Sequence, residues 1–323
     1  MTTTTAPIPL RDRLPWFRPT PGAFPKRPSA SATVAQAAAG KPGDAHLSHS
    51  QVRAYAGCSL AWYLSRRYQP EFVAASLVFG SSIHAAINSF YQGRLEGRDV
   101  SQEDMLTAFS AHWSDEIVGK NSRTPTATPV PVKFTSKEED EAGMRALAER
   151  VLGAFLASVQ PGEVVAVEEP FEVTLASDLP PVKGRIDLLE IREDADGVRR
   201  LHLVDFKTSA RRPTGEDIDA DQLLLYALAA DEIGWPDDLG LPLALRFDYL
   251  TKVKAPELIS VPVANTRHGL ARFVEKVRQC WRGVRAEVVF PSPSWRCSGC
   301  GYSRACGRWP ALESAAPPLA ASA

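Results

Sequence analysis

The chain has 323 residues, of which 44% are hydrophobic and 23% are charged, and its formal net charge is -1. This composition fits a globular protein with a substantial core, and the near-zero charge gives no overall sign of a nucleic-acid partner. There is no stretch of 18 or more apolar residues and no signal-peptide pattern at the N-terminus, so we expect a cytoplasmic protein that does not interact with a membrane.

The two ends of the chain differ in composition from its middle. Residues 1–46 are rich in Pro and Ala, contain six Lys or Arg, and show no apolar periodicity. Such a segment cannot bury enough surface to offset the entropy lost on ordering. We therefore expect a disordered basic arm at 1–46, one domain at 47–309, and a disordered tail at 310–323.

Three helices are predicted before any strand. The first follows the potential N-cap residues Ser48 and Ser50, the second begins near Ser82, and the third covers 136–158. In each, the apolar residues recur at helical spacing. Gly80 is predicted to belong to a small-residue turn that lets the start of the second helix approach a sheet closely.

The hydrophobic pattern then changes to the pattern of strands. A hairpin sequence, Asp-Ala-Asp-Gly at 194–197, joins two of them. The order of the elements predicts an α/β fold with a mixed central sheet flanked by helices. The predicted elements are strands at 164–175, 182–192, 199–208, 243–252 and 257–262, and helices at 219–233 and 266–286.

Two acidic residues and a lysine are candidates for a catalytic metal site. Alternation along one strand puts Asp205 and Lys207 on the same face, and the hairpin can bring Asp187 beside them. With the backbone carbonyl of Phe206, the two carboxylates would form an oxygen site suited to Mg²⁺ or Mn²⁺. Lys207 could orient the attacking water and offset charge on a phosphate. The alternative is an ordinary surface ion pair.

Three further polar residues could complete this site. His84 on the second helix could supply a neutral imidazole to the metal. Gln222 and Tyr226 are four residues apart on the helix after the Asp-x-Lys strand, so they share one face. The alternatives are a core histidine for His84 and a partly buried amphipathic face for Gln222 and Tyr226.

Four of the five cysteines are arranged as metal ligands often are. Cys297, Cys300 and Cys306 form a compact trio that lacks one ligand, and Cys58 is the natural fourth. The number of thiolates does not distinguish Zn²⁺ from an iron-sulfur cluster. Either centre would join the two ends of the domain. Cys280 is predicted to be a plain buried cysteine.

Positive charge is concentrated near the C-terminus. Residues 266–309 contain nine Lys or Arg and two Glu. Such a segment is a candidate phosphate-binding face, and Arg272, Lys276 and Arg278 would contribute to it. The alternative is a solvated helix face.

Taken together, these motifs resemble the RecB-like nucleases of the PD-(D/E)XK superfamily, in particular the iron-sulfur branch with the AddB nuclease domain and the CRISPR-associated exonucleases. The resemblance covers about 47–309. One departure is Ser59, where the family often has proline. The motifs are Leu47-Ser48-His49-Ser50 through Cys58, Gly80 to His84, Gly184-Arg185-Ile186-Asp187, Val204-Asp205-Phe206-Lys207-Thr208, Gln222-x3-Tyr226, and the cysteine trio.

The resemblance implies a restriction-endonuclease-like fold and assigns roles to residues of this chain. The catalytic metal would be bound by His84, Asp187 and Asp205, and Lys207 would be the catalytic lysine. Gln222 and Tyr226 would support the site or contact DNA. A 4Fe-4S cluster would be held by Cys58, Cys297, Cys300 and Cys306, with Zn²⁺ as the alternative.

The expected activity is metal-dependent hydrolysis of DNA, as an exonuclease on single strands or ends in repair, recombination or phage-related processing. The helicase domains of AddB-like proteins have no counterpart in this sequence, so we expect the chain either to work alone or to use a helicase or recombination partner in trans. Two alternatives are a DNA-end-binding scaffold that does not cleave and a zinc-stapled structural protein. The complete set of catalytic residues argues against the scaffold.

Overall fold

The structure is a computed structural model that describes residues 46–117, 130–135, 140–215 and 218–309. Apart from His46, the predicted arm at 1–46 lies outside these residues, as does the predicted tail at 310–323. Among the described helices, none is both long and apolar enough to cross a membrane.

Helices and short strands precede a run of long strands, and two more helices close the chain. The elements are, in chain order, α1 (His49–Gly57), α2 (Ser59–Ser65), β1 (Val73–Ala74), α3 (Ala75–Leu95), α4 (Gln102–Ile117), β2 (Val132–Lys133), α5 (Glu141–Ser158), β3 (Glu163–Val173), β4 (Val182–Glu193), β5 (Arg199–Ser209), α6 (Asp221–Ile233), α7 (Trp235–Leu239), β6 (Leu243–Thr251), β7 (Leu258–Val263), α8 (Arg267–Arg285), a 3-10 turn (Trp295–Gly299) and α9 (Ser303–Arg308).

A five-stranded mixed sheet forms the centre of the fold, with strand order β3-β4-β5-β6-β7. Neighbouring strands are antiparallel except β5 and β6, which are parallel. Parallel neighbours need a crossover connection, and α6 and α7 provide it. The predicted α/β class with a mixed central sheet flanked by helices is confirmed.

Helices cover both faces of this sheet and create two cores. On one face, α6 and α8 pack on β5 and β6 through residues such as Leu225, Phe273 and Phe247. On the other face, α3, α4 and α5 pack around Phe206 of β5. The central strand β5 is therefore covered on both sides, and its apolar residues alternate between the two cores.

The sequence predictions for the helices needed three corrections. The first predicted helix is two helices, because Cys58 has an extended backbone (φ -163°, ψ 103°) between α1 and α2. Gly80 lies inside α3, which begins at Ala75, so it forms no turn. A Cβ at Gly80 would be 3.2 Å from Thr208 Oγ1, so the glycine permits close packing of α3 on β5. The third correction is α4, a helix that the sequence analysis does not predict.

A buried charge network ties β4 to β6. Arg246 donates to Glu190 Oε1 at 2.7 Å and to both carboxylate oxygens of Asp248 at 3.1 to 3.2 Å. Ser260 of β7 donates to Asp248 at 2.6 Å. Glu190 is fully buried, and Arg246 and Asp248 are nearly so. The network is therefore almost completely removed from solvent.

We predict that Arg246→Met destabilises the protein by about 3–5 kcal/mol, because it leaves the buried carboxylate of Asp248 without its cation and Glu190 with only the more distant Arg192, at 3.5 Å. Chemical denaturation of the purified protein measures this change. Arg199 pairs with Glu163 across an exposed strand edge, so Arg199→Met is the matched control and should change stability little. Equal effects of the two substitutions would contradict the prediction.

Candidate active site

The site lies where β4 and β5 separate. Their paired register ends at Leu188 and Val204. Beyond that pair, the backbone N–H of Phe206 donates to Asp187 Oδ2 at 3.0 Å instead of to a backbone carbonyl. The Asp187 carboxylate thus acts as the acceptor that a backbone carbonyl would provide in strand pairing. This hydrogen bond holds the carboxylate next to β5.

Asp205 belongs to a closed ring of four side chains. Lys207 Nζ pairs with Asp205 Oδ2 and donates to Gln222 Oε1 at 2.8 Å. Gln222 Nε2 donates to Tyr226 Oη at 2.7 Å, and Tyr226 Oη donates to Asp205 Oδ1 at 3.3 Å. The structure therefore brings the Asp-x-Lys strand and the Gln-x3-Tyr helix together through direct contacts.

The two carboxylates are deeply buried: Asp205 is 1% exposed and Asp187 is 9% exposed. Burial, followed by the nearby charge of Asp205, raises the pKa of Asp187 well above its usual range. Burial and the same two carboxylates also raise the pKa of Tyr226, which remains a hydrogen-bond donor. Lys207 pairs with Asp205, so the charged form of Asp187 lies beside a second buried carboxylate without a cation of its own.

His84 enters this site from α3. Its Nδ1 atom lies 3.5 Å from Asp187 Oδ2. Burial lowers the pKa of His84, and Lys207 acts in the same direction, so the imidazole is neutral near pH 7. A neutral imidazole is the form that binds a metal ion. His84 thus lies beside Asp187, and the ligand set of His84, Asp187 and Asp205 stays a prediction.

Within the described ranges, no three His, Cys, Asp or Glu side chains are already arranged as a metal-binding group. The reason at this site is that the chain's own donors occupy the carboxylates. Lys207 pairs with Asp205, and the Phe206 N–H group is bonded to Asp187. The chemistry of the donors nevertheless fits a divalent cation, because two buried carboxylates repel each other until positive charge is placed between them.

Glu168 is a site residue that the sequence analysis missed. The flanking pairs Val167–Leu188 and Glu169–Ile186 put it opposite Asp187. Its φ of 53° lies in the left-handed region, which is strained for any residue other than glycine. Asn88, one turn after His84 on α3, donates to its carboxylate, and Arg185 Nη1 donates to it at 3.2 Å.

His49 also lies near the site, although the sequence analysis gave it no role of its own. Burial lowers its pKa to about 4, and the charges of Asp205 and Lys207 both influence it. It belongs to the first turn of α1, which Ser48 caps by accepting from the Gln51 N–H at 3.3 Å. The motif around Ser48 was the available signal, but it did not indicate which side chain faces the site.

Cys58 lies beside the segment that leads to the cysteine trio, but within the described residues the four predicted cluster cysteines do not form a ready metal-binding group. Cys58 Sγ accepts from the N–H groups of Ala61 at 3.5 Å and Ser292 at 3.4 Å. Burial raises the pKa of Cys306, and the nearby charges of Cys58, Cys300 and Cys297 raise it further. Cys280 lies apart from them, buried in α8.

Two cations of the predicted phosphate-binding face on α8 are ion-paired within the chain. Arg278 donates to Asp178 at 2.8 Å and to Glu275 at 2.6 Å. Lys276 Nζ donates to Asp221 at 2.5 Å. These contacts favour a structural role for two of the three residues assigned to DNA contact, and the third, Arg272, stays a prediction.

Comparison with known proteins gives a family. The family model for the PD-(D/E)XK nuclease superfamily matches residues 46–307. No curated protein sequence matches the chain at a significant level.

Two solved structures are similar over most of the chain. One is described as a "Putative exonuclease" from Eubacterium rectale, with 18% identity and a TM-score of 0.46, over 80% of this chain and 88% of that one. The other, SSO0001, has 14% identity and a TM-score of 0.29, over 81% of this chain and 94% of that one. Likenesses of this size identify no activity. The family match, however, covers most of the chain and includes every residue of the site, and by that match the chain belongs to the PD-(D/E)XK nuclease superfamily.

Proposed function

We propose that this chain is a Mg²⁺- or Mn²⁺-dependent deoxyribonuclease of the RecB-like type that acts as an exonuclease on DNA strands or ends. The observation that carries the proposal is the closed ring of Asp205, Lys207, Gln222 and Tyr226 beside the buried carboxylate of Asp187. DNA repair, recombination or phage-related processing, with a helicase in trans, is the setting that we expect for such an activity.

Each residue of the site has a role in this proposal. Asp187, Asp205, the neutral imidazole of His84 and the backbone carbonyl of Phe206 would hold the cation. A bound Mg²⁺ or Mn²⁺ supplies Lewis-acid activation of the phosphodiester. Asp205 has no freedom to turn away, because Tyr226 and Lys207 contact its two oxygens.

Lys207 is the group that we assign to the reacting phosphate. Gln222 accepts one of its protons at 2.8 Å, and this contact fixes the direction of the ammonium group. A second proton faces Asp205, and the third can face a water molecule or a phosphate oxygen. A positioned cation of this kind stabilises negative charge that develops in the transition state. Gln222 and Tyr226 act through Lys207 and Asp205, so they are positioning residues.

The other functional classes are less well supported by these contacts. A scaffold that binds DNA ends without cleaving them has no need for two buried carboxylates that share one lysine, because one lysine leaves the second buried carboxylate without a charged partner when no metal ion is bound. The geometry therefore favours a catalyst.

We predict that Asp205→Asn slows DNA cleavage by ~10³-fold or more and removes the rise in melting temperature that Mn²⁺ gives the wild type. The metal-free protein should remain folded, because asparagine keeps the shape of the side chain. Cleavage of end-labelled DNA and thermal melting with and without Mn²⁺ measure these effects. Asp196→Asn on the exposed hairpin is the control. Wild-type cleavage by Asp205→Asn would refute the metal site.

We also assign a positioning role to Glu168. Its strained backbone and its contacts with Asn88 and Arg185 hold a third carboxylate opposite Asp187. A carboxylate in that place can orient the ligands of the cation through hydrogen bonds.

A pair of substitutions separates this role from a structural one. We predict that Glu168→Ala and Glu168→Gly both reduce metal-dependent cleavage by about 10- to 100-fold. Glu168→Gly should melt at a higher temperature than Glu168→Ala, because glycine adopts a positive φ without strain. If activity depended on the stability of each variant and not on the Glu168 carboxylate, Glu168→Gly would be the more active of the two. That result would contradict the assignment.

We propose further that Cys58, Cys297, Cys300 and Cys306 hold a 4Fe-4S cluster, with Zn²⁺ as the alternative. The proximity of Cys58, Cys297 and Cys300 to Cys306, which adds to the rise in the pKa of Cys306 that burial causes, and backbone N–H donors to the sulfur atoms of Cys58 and Cys297 support this proposal. Thiolates that bind clusters commonly accept such bonds.

We predict that Cys58→Ser gives colourless protein with greatly increased sensitivity to protease, because the substitution loosens both chain ends. Cys280→Ala should keep its colour and its fold, since this cysteine lies apart from the other four. Iron, sulfide and zinc analysis of anaerobically purified protein distinguishes a 4Fe-4S cluster from Zn²⁺. Zinc without sulfide would refute the cluster, and a coloured, protease-resistant Cys58→Ser variant would refute its ligand set.

A further inference from the structure

A tryptophan side chain near the cysteine trio is exposed to solvent. Trp295 is 82% exposed, more than any other large hydrophobic residue in the described part of the chain. The guanidinium of Arg296 lies 5.4 Å from the centre of its ring. One exposed hydrophobic side chain is ordinary on a protein surface, but an exposed indole beside a guanidinium group is a pair suited to stacking and to phosphate contact.

A second pair of the same kind lies on α2. Arg66 lies over the ring of Trp62, 4.4 Å from its centre, and Trp62 packs edge-on against Tyr55 of α1. Both pairs adjoin the α1–α2 junction. The Arg296 side chain lies against Gly57, where an added Cβ would be 2.7 Å from Nη1. Trp62, Arg66, Trp295 and Arg296 therefore flank one junction, and we call them the Trp295 surface.

The charged residues next to this surface in the sequence are positive. Residues 288–309 contain three arginines and no Asp or Glu, and residues 59–70 contain two arginines and no Asp or Glu. At the edge of the surface, Glu71 pairs with Arg304 at 3.3 Å. Among the described residues, Arg296 has no carboxylate partner, in contrast to Arg278 and Lys276 on α8. The surface is therefore suited to a polyanion.

We propose that the Trp295 surface binds single-stranded DNA, with bases stacked on the indole rings and phosphates held by Arg66 and Arg296. Alternating aromatic and cationic side chains match the alternation of bases and phosphates along a single strand. In a duplex the base faces are covered by stacking, so the rings would gain nothing there. This inference rests on the proposed function and adds a preference for single strands and a binding surface outside the catalytic site.

The test uses full-length protein in EDTA, so that binding is measured without cleavage. Fluorescence anisotropy compares a dT 20-mer with an abasic 20-mer, which has the same phosphates and no bases. Wild type should bind the dT 20-mer more tightly than the abasic one. Trp295→Ala should weaken dT binding by ~10-fold and bind both oligomers alike, whereas Trp295→Phe should keep the preference.

A charge variant tests the arginine. Arg296→Gln should reduce the slope of log K against log salt by about 0.7, the contribution of one single-strand phosphate contact. Arg199→Gln on the β4–β5 hairpin is the matched control and should leave the slope unchanged. Loss of self-association in Trp295→Ala with DNA binding unchanged would make this surface a protein interface and overturn the proposal.

Two further outcomes would also overturn it: equal dT binding by wild type and Trp295→Ala, or equal binding of the two oligomers by wild type. Failure of the proposed nuclease function would be seen separately, as absence of DNA cleavage by wild type in Mn²⁺.

Discussion

Two carboxylates that cannot easily both be charged dominate this structure. Asp187 and Asp205 are buried side by side, and burial together with their mutual repulsion raises the pKa of Asp187. Three groups of the chain donate to these carboxylates: the ammonium of Lys207, the hydroxyl of Tyr226 and the N–H of Phe206. These contacts keep the carboxylates in place without neutralising both, so the site remains suited to a cation. We regard this unresolved repulsion as the physical origin of the proposed metal dependence.

The sheet topology explains why these groups meet. The β5–β6 pair is parallel, so the chain must cross from the end of β5 back over the sheet, and α6 is the first helix on that path. Its first turns therefore lie above the carboxyl end of β5, where Gln222 reaches Lys207. On the opposite side α3 approaches β5 closely at Gly80, and one turn later it presents His84 to Asp187. The helix layer on each face of the sheet thus brings one residue to the site beside β5: α6 brings Gln222 and α3 brings His84.

Much of this arrangement is visible in the sequence because it depends on local periodicity. Alternation along β5 places Asp205 and Lys207 together, and helical spacing places Gln222 and Tyr226 together. Glu168 escaped the analysis because its importance comes from a positive φ and from a cross-strand neighbour, and neither leaves a local pattern. The α8 cations were assigned to DNA for a similar reason: their partners, Asp178 and Asp221, are distant in sequence. The amino-acid composition gives the number of charged residues, but the fold determines which of them form ion pairs.

The junction of the two chain ends is also connected to the active site by the backbone. Glu71 donates its N–H to the carbonyl of Gly301 at 2.7 Å, and its carboxylate accepts from the N–H of Arg304. Four residues after Glu71, α3 begins, and it continues without interruption to His84. A helix is stiff over that distance, so the position of its first turn constrains the position of the imidazole. The proposed cluster of Cys58 and the cysteine trio would therefore help to fix His84 against Asp187, although it would lie outside the catalytic site.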